Sequence, residues 1–306
     1  MHANKHKVIA ILGSTCTGKS DLALWLAAKI GGEIVNADSM QVYRDFDIGS
    51  AKPDRRARAE IPHHLIDVAA PDEEFNAADF QKAADSAIGE VWSGGRTPLV
   101  VGGTGLYLRV LFHGLFPVPI DHSLRDRLRK RYREDPFRLY EELKALDPKY
   151  ASSISLRDGV RIVRALEVSY ASGETMSQWQ ERHGFREQRY DAYKVGLSVG
   201  RQELYERINQ RVERMLDEGW VAEVEGLMRA GYDTSLKPFR SIGYREIVLY
   251  LRGHLPYAAM VDRIKRETRH YGKRQITWFS REKDIHWYDY PGDRDKVFEE
   301  VERFLS

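Results

Sequence analysis

The run from Gly13 to Ser20 has the residue types and the spacing of a loop that binds phosphate groups. It fits the pattern G-x-x-x-x-G-K-[ST] at every fixed position. The glycines let main-chain N–H groups turn inward, Lys19 adds a full positive charge, and the hydroxyl of Ser20 is a ligand for Mg²⁺. The residues predicted to hold a diphosphate or triphosphate are Gly13, Ser14, Thr15, Cys16, Thr17, Gly18, Lys19 and Ser20. The pattern alone leaves open a purely structural anion site.

Three further polar residues are candidates for the chemistry itself. Asp38 suits a general base that accepts a proton from a nucleophile, but it also suits a turn or a helix cap. Asp67 suits either a water-mediated ligand of Mg²⁺ or a buried cap. Thr104 could form a hydrogen bond to a nucleobase or to a phosphate, but it also suits a plain turn. Mg²⁺ is the only metal we expect, because the His and Cys residues lack the spacing of a set of metal ligands.

Strand and helix patterns alternate through the first third of the chain, which predicts a parallel sheet with crossover helices. The predicted strands cover 7–12, 33–36, 64–68 and 98–101, and the predicted helices cover 20–30 and 76–92. The loop, Asp38, Asp67 and Thr104 then all follow strand ends, where open α/β sheets bind their ligands. The pattern therefore predicts one composite site.

The middle of the chain has a different pattern. From 121 to about 189 the segments look helical and amphipathic, and strand character returns at 193–199 and 285–288. We predict an α/β fold with a P-loop NTPase-like parallel sheet, flanking helices and an inserted helical domain. The core domain would comprise 1–118 and 190–306, and the insertion 119–189.

Composition limits the class of protein. The 306 residues are 42% hydrophobic and 31% charged with a net charge of +2, so any affinity for nucleic acid must come from local patches. The single cysteine excludes a disulfide framework and a cysteine-rich zinc site. No apolar stretch approaches the roughly 18 residues of a membrane span, and the N-terminus lacks an apolar signal core. We expect a cytoplasmic enzyme with no membrane partner.

Two basic regions suit contact with RNA phosphates. One combines Arg125, Arg127, Arg129, Lys130, Arg131 and Arg133. The other is a predicted helix within 263–281, with Arg263, Arg266, His270 and Lys273 on one face and Val261, Ile264, Thr268 and Tyr271 on another. Aromatic residues follow it, so the region suits phosphate contact with base stacking. A solvated charged face is the alternative.

Together these motifs resemble the tRNA dimethylallyltransferases over nearly the whole chain. The segments that carry the resemblance are 13–20, 36–43, 49–53, 63–67, 101–107, 161–167, 240–245 and 273–278. Only the first is specific by itself, whereas eight in the same order are a strong match. Family loops usually have proline at position 14, alanine at 16 and serine at 17, where this chain has Ser14, Cys16 and Thr17. The chain also lacks the zinc-finger extension of eukaryotic relatives, so we expect the bacterial type.

The resemblance implies transfer of a dimethylallyl group from dimethylallyl diphosphate to N6 of the adenosine 3′ of the anticodon. The loop would then hold the donor's diphosphate with Mg²⁺, Asp38 would be the general base, and Thr104 would orient the base or the donor. The implied partner is the anticodon stem-loop of tRNA, and we expect a monomer. The implied tRNA contacts are Asp38, Ser39, Met40, Gln41, Thr104, Asp158, Gly159, Val160, Arg161, Ile162, Arg240, Ser241, Ile242, Gly243, Tyr244, Arg245, Arg266, Lys273, Arg274, Gln275, Ile276, Thr277, Trp278, Phe279 and Ser280. Arg127, with Arg125 as the alternative, would contribute from the insertion.

Three other functions share some of these features. A P-loop kinase of a nucleoside or small metabolite would have the same loop and a carboxylate after the second strand. A prenyltransferase acting on free adenine nucleotides would use the same donor, but it would need no long insertion or basic helix. A non-catalytic RNA-binding protein would need no general base.

Overall fold

The computed structural model describes residues 6–116, 118 and 121–306, and these form two compact units. One unit comprises the chain through Phe112 together with Gln188–Ser306, and the other is His113–Glu187. The inserted domain predicted at 119–189 stays a prediction, and its first residue, Pro119, lies outside the described residues. Within the described part of the chain, every helix is too short or too polar to cross a membrane.

The larger unit contains a six-stranded parallel sheet with the strand order β3-β2-β4-β1-β5-β6. The strands are β1 (Lys7–Gly13), β2 (Gly32–Asn36), β3 (His63–His64), β4 (Thr97–Gly102), β5 (Asp191–Ser198) and β6 (Ile285–Asp289). Parallel strands covered by helices are buried on both faces, and β1 is accordingly buried from Val8 to Gly13. The α/β fold with a parallel sheet is therefore confirmed.

The third strand is much shorter than the predicted 64–68. Leu65 and Asp67 have φ angles of 62° and 59°, in the left-handed region, where an extended chain cannot continue. The strand therefore ends at His64, and Asp67 lies in an irregular loop rather than directly at a strand end.

The helices of the larger unit flank the sheet and extend beyond it. They are α1 (Lys19–Ile30), α2 (Arg55–Glu60), α3 (Ala77–Ser93), α4 (Gly105–His113), α10 (Arg201–Asp217), α11 (Trp220–Arg229), α12 (Tyr244–Leu251), α13 (Tyr257–Phe279) and α14 (Arg294–Leu305), of which α4 ends at the boundary of the smaller unit. The predicted helix near 76–92 is confirmed as α3. Asn76 caps it, because its side chain accepts hydrogen bonds from the N–H groups of Ala78 and Asp79.

The smaller unit is helical, as predicted. It contains α5 (His122–Glu134), α6 (Pro136–Leu146), α7 (Pro148–Ser152), α8 (Gly159–Ser172) and α9 (Met176–His183). Its apolar core includes Leu128, Leu143 and Ile162. The fully buried carboxylate of Glu167 lies among these helices, and it accepts hydrogen bonds from Arg125 and Arg164 at 3.0 and 2.8 Å.

Candidate active site

The candidate phosphate-binding loop, residues 13–20, is held in shape partly by its own side chains. Gly18 has a φ of 90° at the start of α1, and a Cβ there would lie 2.5 Å from the ring of Tyr290, so only glycine fits. The Thr17 hydroxyl and the Lys19 ammonium both donate to the carbonyl of Ser14, at 2.9 and 2.5 Å. The predicted strand, loop and helix around 13–20 are therefore present as a preformed structure.

Two cations face the cavity beside this loop. Burial, together with the nearby charge of Arg211, lowers the pKa of Lys19 to about 8. Arg211, on α10, lies 3.9 Å from the sulfur of Cys16 and lines the same cavity as Lys19 and Ser20. Two cations that repel each other form a favourable site for an anion. Nothing in the local sequence around Arg211 identifies it as a member of this site.

Asp38 shapes a turn and also lines the cavity. Its Oδ1 accepts hydrogen bonds from the N–H groups of Met40 and Gln41, at 2.8 and 3.4 Å, so this oxygen does shape a turn. Its Oδ2 accepts no hydrogen bond from the described residues, and Asp38 lines the cavity with Lys19. The turn therefore orients a carboxylate with one oxygen left for a substrate.

Thr104 connects the loop after β4 to the loop after β2. Its hydroxyl oxygen accepts a hydrogen bond from the N–H of Ser39 at 3.1 Å, and its own N–H lies 3.4 Å from the carbonyl of Ala37. Both partners adjoin Asp38 in the chain. The geometry places Thr104 next to the candidate base and shows that it also holds that loop in place.

Asp67 does not face the cavity. Lys52 and Arg58 donate to its two carboxylate oxygens at 2.6 and 2.7 Å. Burial raises the pKa of Asp67, but the hydrogen bonds and charges of Lys52 and Arg58 outweigh burial, and its pKa is lowered. The interpretation of Asp67 as a magnesium ligand is corrected accordingly: this carboxylate is neutralised by two cations, and Ser20 remains the candidate ligand.

The described residues contain no group of three or more His, Cys, Asp or Glu side chains that could hold a metal ion. A magnesium ion would therefore depend on Ser20 and on the oxygens of a bound diphosphate. The Ser20 hydroxyl fits this role, because Ser20 is exposed in the first turn of α1 and lines the cavity together with Asp38.

The cavity combines polar and apolar surfaces in a volume of about 120 Å³. Its polar lining includes Thr15, Lys19, Ser20, Asp38 and Arg211. Its apolar lining includes Ala23, Leu24, Ile34, Ile66 and Val101. Tyr271, on α13, also lines it, and burial together with the charge of Asp38 raises the pKa of this phenol, which stays protonated. Such a cavity suits a ligand with an anionic head and a small apolar tail.

The residues implied as tRNA contacts differ in exposure. The exposed ones are Val160, Arg161, Arg240, Arg245, Arg266, Lys273, Arg274, Ile276, Thr277 and Ser280, with Arg127 on α5. The partly buried ones are Ser39, Met40, Gln41, Asp158, Gly159, Ser241, Ile242 and Trp278. The buried ones are Ile162, Gly243, Tyr244, Gln275 and Phe279. The side chains of Ile162, Tyr244, Gln275 and Phe279 pack inside the protein, and Gly243 lies against the ring of Trp220, so this group cannot touch RNA without rearrangement.

The chain is similar to known proteins over nearly its whole length. A family model described as IPP transferase matches residues 41–282, and one described as isopentenyl transferase matches residues 6–62. The chain is 47% identical over 305 residues to tRNA dimethylallyltransferase 2 of Geotalea uraniireducens, covering 99% of this chain and 98% of that protein. It is 46% identical to tRNA dimethylallyltransferase of Geobacter sulfurreducens, covering 96% and 95%.

Solved structures show the same similarity. A tRNA isopentenylpyrophosphate transferase from Bacillus halodurans matches with a TM-score of 0.74 and 34% identity, covering 98% of this chain and 97% of that chain. A eukaryotic dimethylallyltransferase acting on tRNA matches with a TM-score of 0.82 and 28% identity, covering 97% of this chain and 78% of that chain. The fold thus has counterparts in this group of enzymes.

Proposed function

Since this chain belongs to the tRNA dimethylallyltransferase family, we propose that it transfers a dimethylallyl group from dimethylallyl diphosphate to N6 of the adenosine 3′ of the anticodon in tRNA, releasing diphosphate. The observation that carries the proposal is a single cavity lined by a phosphate-binding loop, an available carboxylate and an apolar wall. A nucleotide kinase would need the loop and the carboxylate, but it would not need the apolar wall.

The leaving group is the diphosphate of the donor. The loop, Lys19 and Arg211 bind it and stabilise the negative charge that develops as its bond to C1 breaks. When bound beside Ser20, Mg²⁺ would neutralise further charge on the same oxygens. The apolar wall accommodates the five-carbon tail and excludes water that would otherwise hydrolyse an activated donor.

The acceptor nitrogen attacks C1 and must then lose a proton. Asp38 is positioned to take this proton on Oδ2, because its Oδ1 is engaged in the turn. Thr104 holds the loop that carries Asp38, so its substitution would misplace the base as well as remove a hydroxyl group. The adenine is stacked inside the anticodon loop and must be turned out to reach the cavity.

The exposed part of α13 is the proposed surface for the RNA backbone. Arg266, Lys273 and Arg274 are exposed on this helix, whereas Arg263 is partly buried and lies 3.5 Å from the buried carboxylate of Glu246. The predicted cationic face is therefore narrower than the sequence indicated. We also propose that the protein acts in the cytoplasm, where its tRNA substrate is found, and that it is a monomer.

The two arginines proposed in the helical unit should behave differently when replaced. Arg125→Ala leaves the buried Glu167 with one fewer partner, so we expect a loss of stability of about 1.5–3 kcal/mol and a lower thermal unfolding midpoint. Arg127 is exposed, and among the described residues it donates only to Ser123, at 2.7 Å. Arg127→Ala should therefore weaken binding of the stem-loop by about three- to tenfold with an unchanged unfolding midpoint. Equal RNA affinity in wild type and Arg127→Ala would remove Arg127 from the interface.

Donor and acceptor competition tests the proposed reaction. The protein is incubated with labelled dimethylallyl diphosphate or with labelled ATP, and with either an anticodon stem-loop or AMP. We expect label in the stem-loop from the prenyl donor alone. Label transferred from ATP would favour the kinase, and a higher kcat/KM for AMP than for the stem-loop would favour the free-nucleotide enzyme.

A further inference from the structure

One peptide unit of the phosphate-binding loop, between Ser14 and Thr15, is held by side chains on both sides. Its carbonyl accepts hydrogen bonds from Lys19 and Thr17, at 2.5 and 2.9 Å. Its N–H, which belongs to Thr15, donates to Oε1 of Gln275 at 2.8 Å. Because the peptide unit is planar, a partner that fixes its N–H also fixes the direction of its carbonyl. Gln275 therefore determines where the carbonyl holds the ammonium of Lys19.

Gln275 also reaches the loop after β4. Its Nε2 donates to the carbonyl of Gly103 at 2.9 Å, so a single side-chain amide bridges the carboxyl ends of β1 and β4. The fit is tight, because a Cβ on Gly103 would lie 2.3 Å from Nε2 of Gln275. The side chain is only 6% exposed. A buried amide with both its groups paired is costly to disturb, since either group loses its hydrogen bond without gaining water.

Ser14 adds a second contact to the same helix. Its hydroxyl lies 3.4 Å from both the carbonyl of Gly272 and Oε1 of Gln275. A Cβ at Gly272 would lie 3.0 Å from the Ser14 hydroxyl oxygen, so glycine leaves room for it. Proline, the usual residue at position 14 in the resembling family, has no side-chain donor and fixes φ instead. In this chain, the contact between Ser14 and α13 takes the place of the rigidity that proline would give.

We propose that Gln275 is a positioning residue for the diphosphate cradle rather than a contact to tRNA. This rests on the proposed function, in which the loop holds the diphosphate of the donor. Gln275 acts through the Ser14–Thr15 peptide unit, and Ser14 supports it. Its neighbours Lys273, Arg274 and Thr277 are exposed on α13, so one helix presents a polar surface outward and supports the cradle inward.

The test measures two ligands separately. Gln275→Met keeps the length of the side chain and removes both hydrogen bonds, and Lys273→Ala is the matched change on the exposed face of α13. Inorganic pyrophosphate and an anticodon stem-loop RNA are each titrated calorimetrically into wild type and both variants. For Gln275→Met we expect the pyrophosphate Kd to rise about 10–30-fold and the RNA Kd to stay within about twofold. For Lys273→Ala we expect the RNA Kd to rise and the pyrophosphate Kd to stay within about twofold.

A second variant approaches the same contact from the other side. Gly103→Ala pushes against Nε2 of Gln275, and it should weaken pyrophosphate binding without weakening RNA binding. Weaker RNA binding with unchanged pyrophosphate binding in Gln275→Met would overturn the proposal, as would unchanged affinity for both ligands. Loss of both affinities with a lower unfolding midpoint in both variants would also overturn it, because it would indicate helix packing alone. Wild-type protein that binds pyrophosphate but transfers no prenyl group would contradict the proposed function instead.

Discussion

Asp38→Asn is expected to lower kcat by about 10²–10⁴-fold while leaving the affinity for tRNA unchanged. The asparagine keeps an oxygen that can accept the hydrogen bonds from Met40 and Gln41, so the turn is preserved. It cannot take up the proton that the acceptor nitrogen loses. Single-turnover transfer measured with saturating donor and stem-loop RNA gives the rate, and RNA titration gives the Kd.

The matched control is Asp67→Asn, which changes a carboxylate outside the cavity. It weakens the contacts with Lys52 and Arg58, so we expect a lower unfolding midpoint and a kcat within a fewfold of wild type. Near-normal turnover in Asp38→Asn would show that Asp38 is not the general base.

Lys19→Met is expected to lower kcat/KM for the donor by about 10²–10³-fold. Its ammonium is the charged group anchored within the loop itself, by the carbonyl of Ser14 at 2.5 Å. Methionine fills similar space but offers no charge to the leaving diphosphate. Donor-dependent initial rates give kcat/KM, and RNA affinity should be unchanged. A kcat/KM within a fewfold of wild type would contradict the role of the loop.

The pKa of Lys19 also predicts a pH dependence. Burial and Arg211 lower this pKa to about 8 in the free protein, so the ammonium is mostly protonated below pH 8 and mostly neutral above it. A bound diphosphate favours the protonated form, so pyrophosphate affinity should fall as the pH rises through about 8. Arginine stays protonated in this pH range, so Lys19→Arg should lack the fall in pyrophosphate affinity that deprotonation of Lys19 causes. The titration of pyrophosphate itself affects the wild type and the variant equally. Identical pH profiles for the two proteins would contradict this assignment.

The sequence predicts those candidate site residues that a short, contiguous segment identifies. The loop at 13–20 is recognisable because its spacing, the strand before it and the helix after it all occur within one short segment. Asp38 follows from the same logic, since a polar residue directly after a buried strand lies at the edge where ligands bind.

The sequence does not predict the features of the site that depend on residues far apart in the chain. Asp67 looks like a strand-end carboxylate until Lys52 and Arg58 are seen beside it, and the left-handed φ of Leu65 is not signalled by its residue type. Arg211 lies on a helix whose sequence carries no motif, and only the packing of α10 brings it to the cavity.

Gln275 shows how helical phase separates neighbouring residues of one segment. The family resemblance implies that Gln275 contacts tRNA, but Gln275 lies three residues after Gly272 and four before Phe279, and all three are buried. Helical phase therefore directs it toward the loop and away from the charged face. The same period places Lys273 and Arg274 on the exposed surface of α13.

We propose that the group transferred is the prenyl tail and that the diphosphate held by the loop leaves. Mass spectrometry of the nucleosides and of the nuclease fragments from tRNA, after incubation with the protein and dimethylallyl diphosphate, tests this most directly, because the fragments retain the position of the modified adenosine. We predict an adenosine in which one dimethylallyl group replaces one hydrogen at N6, from the position 3′ of the anticodon, with an equal amount of diphosphate released. Unmodified adenosine at that position, or a phosphorylated product when ATP is supplied, would contradict the account.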